Sequence, residues 1–125
     1  MLVGIGLDVV ELERIERIWF LYGEKFARRI LHSQELALMP PENPVNFLAG
    51  RFAAKEAVSK ALGTGFSGGI GFSDICVIRL NSGQPQVDLF GKAACRMKHL
   101  GASRVFISIS HSRQTAAAVA VLEAE

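Results

Sequence analysis

The chain has little cysteine. Cys76 and Cys95 form no Cys-x-x-Cys pair and no Cys/His spacing suited to zinc. That argues against a disulfide scaffold or a zinc module and reads as reduced core thiols in a cytosolic protein. It also lacks a charge excess. A net charge of +2 over 125 residues is too small for bulk attraction to nucleic acid, so any steering of a partner must come from local patches. No apolar run reaches the length of a membrane span. Met1 to Val10 is apolar, but it carries Asp8 and no basic leader, which argues against a signal peptide. Proline is scarce, and three of the four fall between Met39 and Pro44, where they force a loop.

Several familiar signatures are missing as well. Gly4-x-Gly6 lacks the third glycine of a dinucleotide fingerprint. Lys60 precedes the glycines at 63 and 65 rather than following them, so there is no P-loop. There is no Gly-x-Ser-x-Gly elbow, and no carboxylate is placed to orient His111. No internal repeat or low-complexity segment occurs.

Apolar content is plentiful. Half the residues are hydrophobic and mean hydropathy is +0.27. The length suits a single domain, 1–125, with a real core. The apolar surplus predicts burial between subunits, and hence a homo-oligomer.

Periodicity predicts a buried strand over Met1 to Val10 and helices over Glu11 to Tyr22 and Lys25 to Leu31. A short helix capped by Ser33 and a long one over Val45 to Leu62 follow. Five glycines between Gly63 and Gly71 predict a tightly turning loop. Ser73 to Leu80 and Gln86 to Phe90 read as strands around a turn, and Gly91 to Leu100 as a helix closed by Gly101. Arg104 to Ser110 and Thr115 to Leu122 read as a second hairpin. Its last strand is rich in alanine and suited to close approach by a neighbouring strand or subunit.

Within Arg51-Phe-Ala-Ala-Lys-Glu-Ala-Val-Ser-Lys60, the i, i+4 spacing puts Glu56 and Lys60 on one helical face and Arg51 and Lys55 on a neighbouring one. Asp8 and Glu56, from separate elements, are two carboxylates able to hold one Mg²⁺. The plainer reading makes Asp8 a cap and Glu56 an ion-pair partner of Lys60. Gly63-Thr64-Gly65 would let backbone amides approach a phosphate, or would simply stop the helix. Ser110 and His111 stand at a polar hairpin tip that suits a phosphate. Arg14, Lys25, Arg28 and Arg29, with Phe26, read as a docking patch for an acidic protein helix, or as an ordinary mixed-charge face.

The ordered set resembles the holo-acyl-carrier-protein synthases of the 4'-phosphopantetheinyl transferase superfamily. It comprises Gly4-Ile-Gly-Leu-Asp8 with Glu11 and Arg14, Arg51-Phe-Ala-Ala-Lys-Glu-Ala57 with Lys60-Ala-Leu-Gly-Thr-Gly65, Gly83-Gln-Pro85, and Ser108-Ile-Ser-His111. Phe52 stands where many relatives outside this short class have Trp, and Gln84 where Lys is common.

The resemblance implies an α+β fold, an antiparallel sheet with a long packed helix, in a trimer with active sites at subunit interfaces. It implies Mg²⁺-dependent transfer of phosphopantetheine from coenzyme A to a serine of apo-acyl carrier protein, releasing adenosine 3',5'-bisphosphate, in support of fatty acid biosynthesis in the cytoplasm. Asp8 and Glu56 would be metal ligands, and Lys60 would neutralise phosphate oxygens. Gly63, Thr64 and Gly65 would line the nucleotide site, and Ser110 and His111 would close over the coenzyme from a neighbouring subunit, with Arg51 supporting a phosphate. Arg14 and the Lys25, Phe26, Arg28, Arg29 stretch would face the carrier. Glu56 and a water on the metal remain alternative bases for the serine proton. The competing classes are a non-catalytic carrier- or nucleotide-binding module and a metal-dependent phosphohydrolase.

Overall fold

The computed structural model describes residues 1–125. Strand β1 (Leu2–Glu11) runs directly into α1 (Leu12–Tyr22), followed by α2 (Glu24–Ile30) and the single-turn α3 (Ser33–Leu36). The long α4 (Val45–Ala61) leads through a glycine loop and a 3-10 turn (Phe72–Asp74) to β2 (Ile75–Arg79) and β3 (Pro85–Leu89). Then come α5 (Gly91–His99), β4 (Arg104–His111) and β5 (Thr115–Glu123). The strands form an antiparallel three-stranded sheet, β1-β5-β4, and a separate β2-β3 hairpin. The α+β expectation holds, with helix α4 lying across the larger sheet.

Small residues let α4 lie so close to the sheet. A methyl group at Gly6 would sit 1.9 Å from the Ala57 carbonyl oxygen, and one at Gly4 would sit 2.2 Å from that of Ala61. Ala116, Ala118 and Ala120 of β5 are buried in the same core as α4. These alanines therefore serve this contact inside the chain, on a strand that lies between two others. Because strand side chains alternate, the other face of the sheet carries Ile5, Leu7, Val9 and Phe106, all of them exposed.

Helix α4 is buried nearly all round, with only Asn46 and Lys60 of its residues exposed. The short helix α3 is capped by His32, not Ser33. His32 Nδ1 accepts from the Gln34 amide at 3.1 Å, while Glu35 Oε1 accepts from the His32 amide at 2.9 Å.

Candidate active site

Helix α4 carries two groups of charges with opposite surroundings. The first lies against β1, the edge strand of the larger sheet. Gly6 allows the approach, and Asp8, two residues on, points to the same face. Lys60 Nζ donates to Asp8 Oδ1 at 3.1 Å and to the Leu7 carbonyl at 3.0 Å. Lys60 thus pairs with Asp8, not with Glu56 as the plainer reading had it. Glu56 is half-buried one turn back on the same helix. Burial pushes its carboxyl above the usual value, and the charge of Asp8 adds to this, while Lys60 and Arg14 act in the opposite sense.

Two neighbouring carboxylates, one of them uncomfortable as an anion, make a place where a further cation is favoured. No third His, Cys, Asp or Glu joins them. This donor set therefore fits a cation that keeps most of its shell for water and substrate oxygens, as Mg²⁺ does.

The second group is in the core. Lys55 is fully buried, and its three donors are taken by Glu35 Oε1 at 2.5 Å, the Ile30 carbonyl at 2.6 Å and the Phe72 carbonyl at 3.1 Å. Burial pushes this ammonium below the ordinary lysine range and Glu35 pulls it back. Glu35 also accepts from the Val77 amide at 3.1 Å through Oε2. Arg51 is buried beside it. Its Nη2 donates to the Val77 carbonyl at 3.2 Å, its Nε lies 3.7 Å from Glu35 Oε2, and its guanidinium sits 4.0 Å from the Phe47 ring centroid. Arg51 is therefore not a free helix-surface cation; it offers one edge to a cleft. Glu35 escaped the sequence reading, although Lys55 falls on the Leu48–Arg51–Val58–Leu62 stripe, a burial signal in itself.

That cleft, of about 210 Å³, is lined by Asn46, Phe47, Gly50, Arg51, Arg79, Ile109 and His111. It contains two guanidiniums, an imidazole and no acid. His111 Nε2 lies 3.1 Å from the Asn46 carbonyl. Ser110 does not share this cleft. Neighbouring strand residues face opposite ways, so Ser110 points to the open face of the sheet while His111 points toward α4.

The glycine loop closes the end of α4. The Gly63 amide donates to the Lys60 carbonyl at 3.0 Å and the Gly65 amide to the Ser59 carbonyl at 3.1 Å. Both glycines have positive φ, 81° and 58°, so they close the helix and their N–H groups are already used. Thr64 Oγ1 lies 2.9 Å from the Gly65 carbonyl.

In the docking stretch, Arg14 lies over the Phe52 ring at 5.6 Å and acts on the charge of Glu56. Lys25, Arg28 and Arg29 are exposed, and Arg28 pairs with Glu24 at 3.3 Å. Phe26 is buried. It belongs to the lining of an apolar groove of about 420 Å³ that Lys25 and Arg29 also border. Exposed apolar side chains nearby are Phe20, Leu21 and Tyr22.

Residues 4–120 match the 4'-phosphopantetheinyl transferase superfamily. The chain belongs to that family. It is 59% identical over 123 residues to holo-acyl-carrier-protein synthase of Nitratidesulfovibrio vulgaris, covering 98% of this chain and 99% of the relative. Among solved structures, holo-acyl-carrier-protein synthase of Neisseria meningitidis superposes with TM-score 0.89 at 42% identity, over 98% of this chain and 99% of that one. The Helicobacter pylori enzyme, solved in complex with coenzyme A, gives TM-score 0.83 at 33% identity over 95% and 99%. The transferase fold is thus shared end to end, and the carboxylate–lysine cluster lies within the matched residues.

Proposed function

We propose that the chain transfers 4'-phosphopantetheine from coenzyme A to a serine of an apo-acyl carrier protein. The observation that carries this is the Asp8–Lys60 pair beside Glu56, in a chain of this family. In the reaction the serine hydroxyl oxygen attacks the pyrophosphate phosphorus that bears pantetheine. The bond from that phosphorus to the bridging oxygen breaks, the serine proton passes to a base, and adenosine 3',5'-bisphosphate leaves with the bridging oxygen. Asp8 and Glu56 would hold Mg²⁺, which when bound supplies positive charge against the phosphates. Lys60, half-exposed and tethered by Asp8, stands ready to neutralise a phosphate oxygen.

Coenzyme A carries a pyrophosphate and a separate phosphate monoester. The chain has two cationic places to match: Lys60 beside the carboxylates, and the acid-free cleft of Arg51, Arg79 and His111. The monoester is assigned to the cleft. Strand β5 lies between β1 and β4, so Asp8 stands two strand spacings, about 10 Å, from Ile109, and His111 lies two residues further along. The open apolar face bearing Ile5, Leu7, Val9 and Phe106 supports a homotrimer in which one subunit's cleft serves a neighbour's cluster. Ser110, on that open face, would then belong to the subunit interface. Thr64 would border the nucleotide through its side chain. Arg14, Lys25, Arg28 and Arg29 would meet the acidic carrier, with Phe26 within the groove. Two free cysteines suit a reducing cytoplasm, where the product would support fatty acid biosynthesis.

Intact-mass measurement tests this. Incubated with coenzyme A, Mg²⁺ and the protein, an apo-carrier gains one phosphopantetheine, and omission of Mg²⁺ abolishes the gain. No gain with several carriers at ample Mg²⁺ would overturn the reading.

A further inference from the structure

Helix α3 is a single turn, and its one buried residue is Glu35. Prolines follow it and a capping box fixes it, so the segment delivers one carboxylate into the core. The two oxygens of that carboxylate have different partners. Oε1 is taken up by Lys55 and by the His32 amide, contacts that tie α3 to α4. Oε2 accepts from Val77 of β2 and lies against Arg51.

Arg51 is consequently held on three sides: Glu35 at Nε, the Val77 carbonyl at Nη2, and the Phe47 ring against the guanidinium plane. Its Nε is buried without a hydrogen bond, the carboxylate at 3.7 Å lying just outside bonding range. The remaining direction is the cleft, where Arg79 and His111 also stand. Two guanidiniums in one acid-free cleft repel each other, and Arg79 adds to the burial that lowers Arg51's preference for charge. Arg79 is anchored separately, donating to the Gly83 carbonyl at 2.8 Å. Without an anion behind it, Arg51 would turn away from Arg79. With Glu35 behind it, Arg51 stays charged and aimed while the cleft is empty, which spares the ligand the work of ordering it.

We propose that Glu35 is a positioning residue for the cleft: it fixes Arg51 so that the guanidinium meets the phosphate monoester of the substrate. This rests on the assignment of the monoester to that cleft. It makes the buried Glu35–Lys55–Arg51 network part of substrate selection as well as of the core. Coenzyme A is preferred over its 3'-dephospho analogue because Arg51 is held in place before either arrives.

The test compares KM and kcat for coenzyme A and 3'-dephospho-coenzyme A, with the same carrier, in the wild type, Arg51→Gln, Glu35→Gln and the double variant Glu35→Gln/Lys55→Met. The double variant removes both buried charges together, so no ammonium is left unpaired if the single change fails to fold. The wild type should favour coenzyme A by about tenfold or more in KM, the effect of roughly one charged hydrogen bond. Arg51→Gln should remove most of that preference, leaving the part owed to Arg79 and His111. Glu35→Gln and the double variant should narrow it several-fold by raising KM for coenzyme A, with kcat and the KM for the dephospho analogue near wild type. A Glu35 variant that keeps the full preference, or that slows both substrates equally through kcat, overturns the positioning role. If Arg51→Gln loses most of the preference and the Glu35 variants do not, the cleft assignment stands and the inference falls. A wild type indifferent to the monoester overturns both.

Discussion

Lys55 and Lys60 stand five residues apart on one helix and have opposite fates. Lys55 has 0% side-chain exposure and Lys60 51%. Each meets a carboxylate. The difference lies in what is left over. Every donor of Lys55 is used inside the chain, and Glu35 is likewise ringed by Lys55, His32, Val77 and Arg51. In the other cluster Lys60 keeps an exposed ammonium, and Glu56 has a like charge in Asp8 for a neighbour. A charge whose partners are all internal holds the fold; a charge left incompletely matched is available to a substrate.

The sharpest way to break the comparison is to open the saturated cluster. Glu35→Ala leaves the Lys55 ammonium buried without its counter-charge, so unfolding free energy should fall by about 3–5 kcal/mol, read by urea denaturation. A loss below about 1 kcal/mol would show that water reaches Lys55. Gly6→Ala probes how the other cluster is assembled. Its methyl would meet the Ala57 carbonyl oxygen at 1.9 Å, so α4 must move away from β1. Stability should fall by about 1–3 kcal/mol, and turnover should fall further than in a variant of matched stability altered elsewhere, because Asp8 is carried away from Glu56.

Arg14 gives a smaller effect. Arg14→Ala should raise KM for the carrier a few-fold, more than KM for coenzyme A, and should flatten the salt dependence of the carrier's KM. Equal changes for both substrates would remove Arg14 from the docking surface. The smallest effect concerns Cys76, next to the buried cluster. Burial first, then Glu35 and Asp88, push its thiol from 9.0 up to about 11. A thiol pKa raised on folding stabilises the protein below the unfolded value, and that contribution is lost as pH climbs from about 9 through 11. Cys76→Ala should remove this part of the alkaline decline in stability. At neutral pH a maleimide should label exposed Cys95 and leave Cys76 untouched until the chain unfolds.

The carboxylate-and-lysine cluster was legible because its residues come in an order: glycines, then Asp8, then a helix bearing Glu56 and Lys60. The glycines turned out to matter for packing, since only hydrogen side chains let Ala57 and Ala61 approach β1. Elsewhere a local pattern admitted two uses. Strand alternation sends the adjacent polar residues at 110 and 111 to opposite faces, and the amides of Gly63 and Gly65 finish the helix. Glu35 was hidden because its partners, Lys55, Arg51 and Val77, are far away in sequence and meet it only once β2 packs beside α4.

The most direct measurement takes one preparation of Glu56→Gln and records both turnover on apo-carrier and the thermal midpoint, beside the wild type. Removing a charge from the unsaturated cluster should lower kcat by about 10²-fold or more, weaken the dependence on Mg²⁺, and leave the midpoint within a few degrees of wild type or slightly higher. Full turnover in Glu56→Gln, or a collapse of its stability like that expected for Glu35→Ala, would contradict the division of labour between the two clusters.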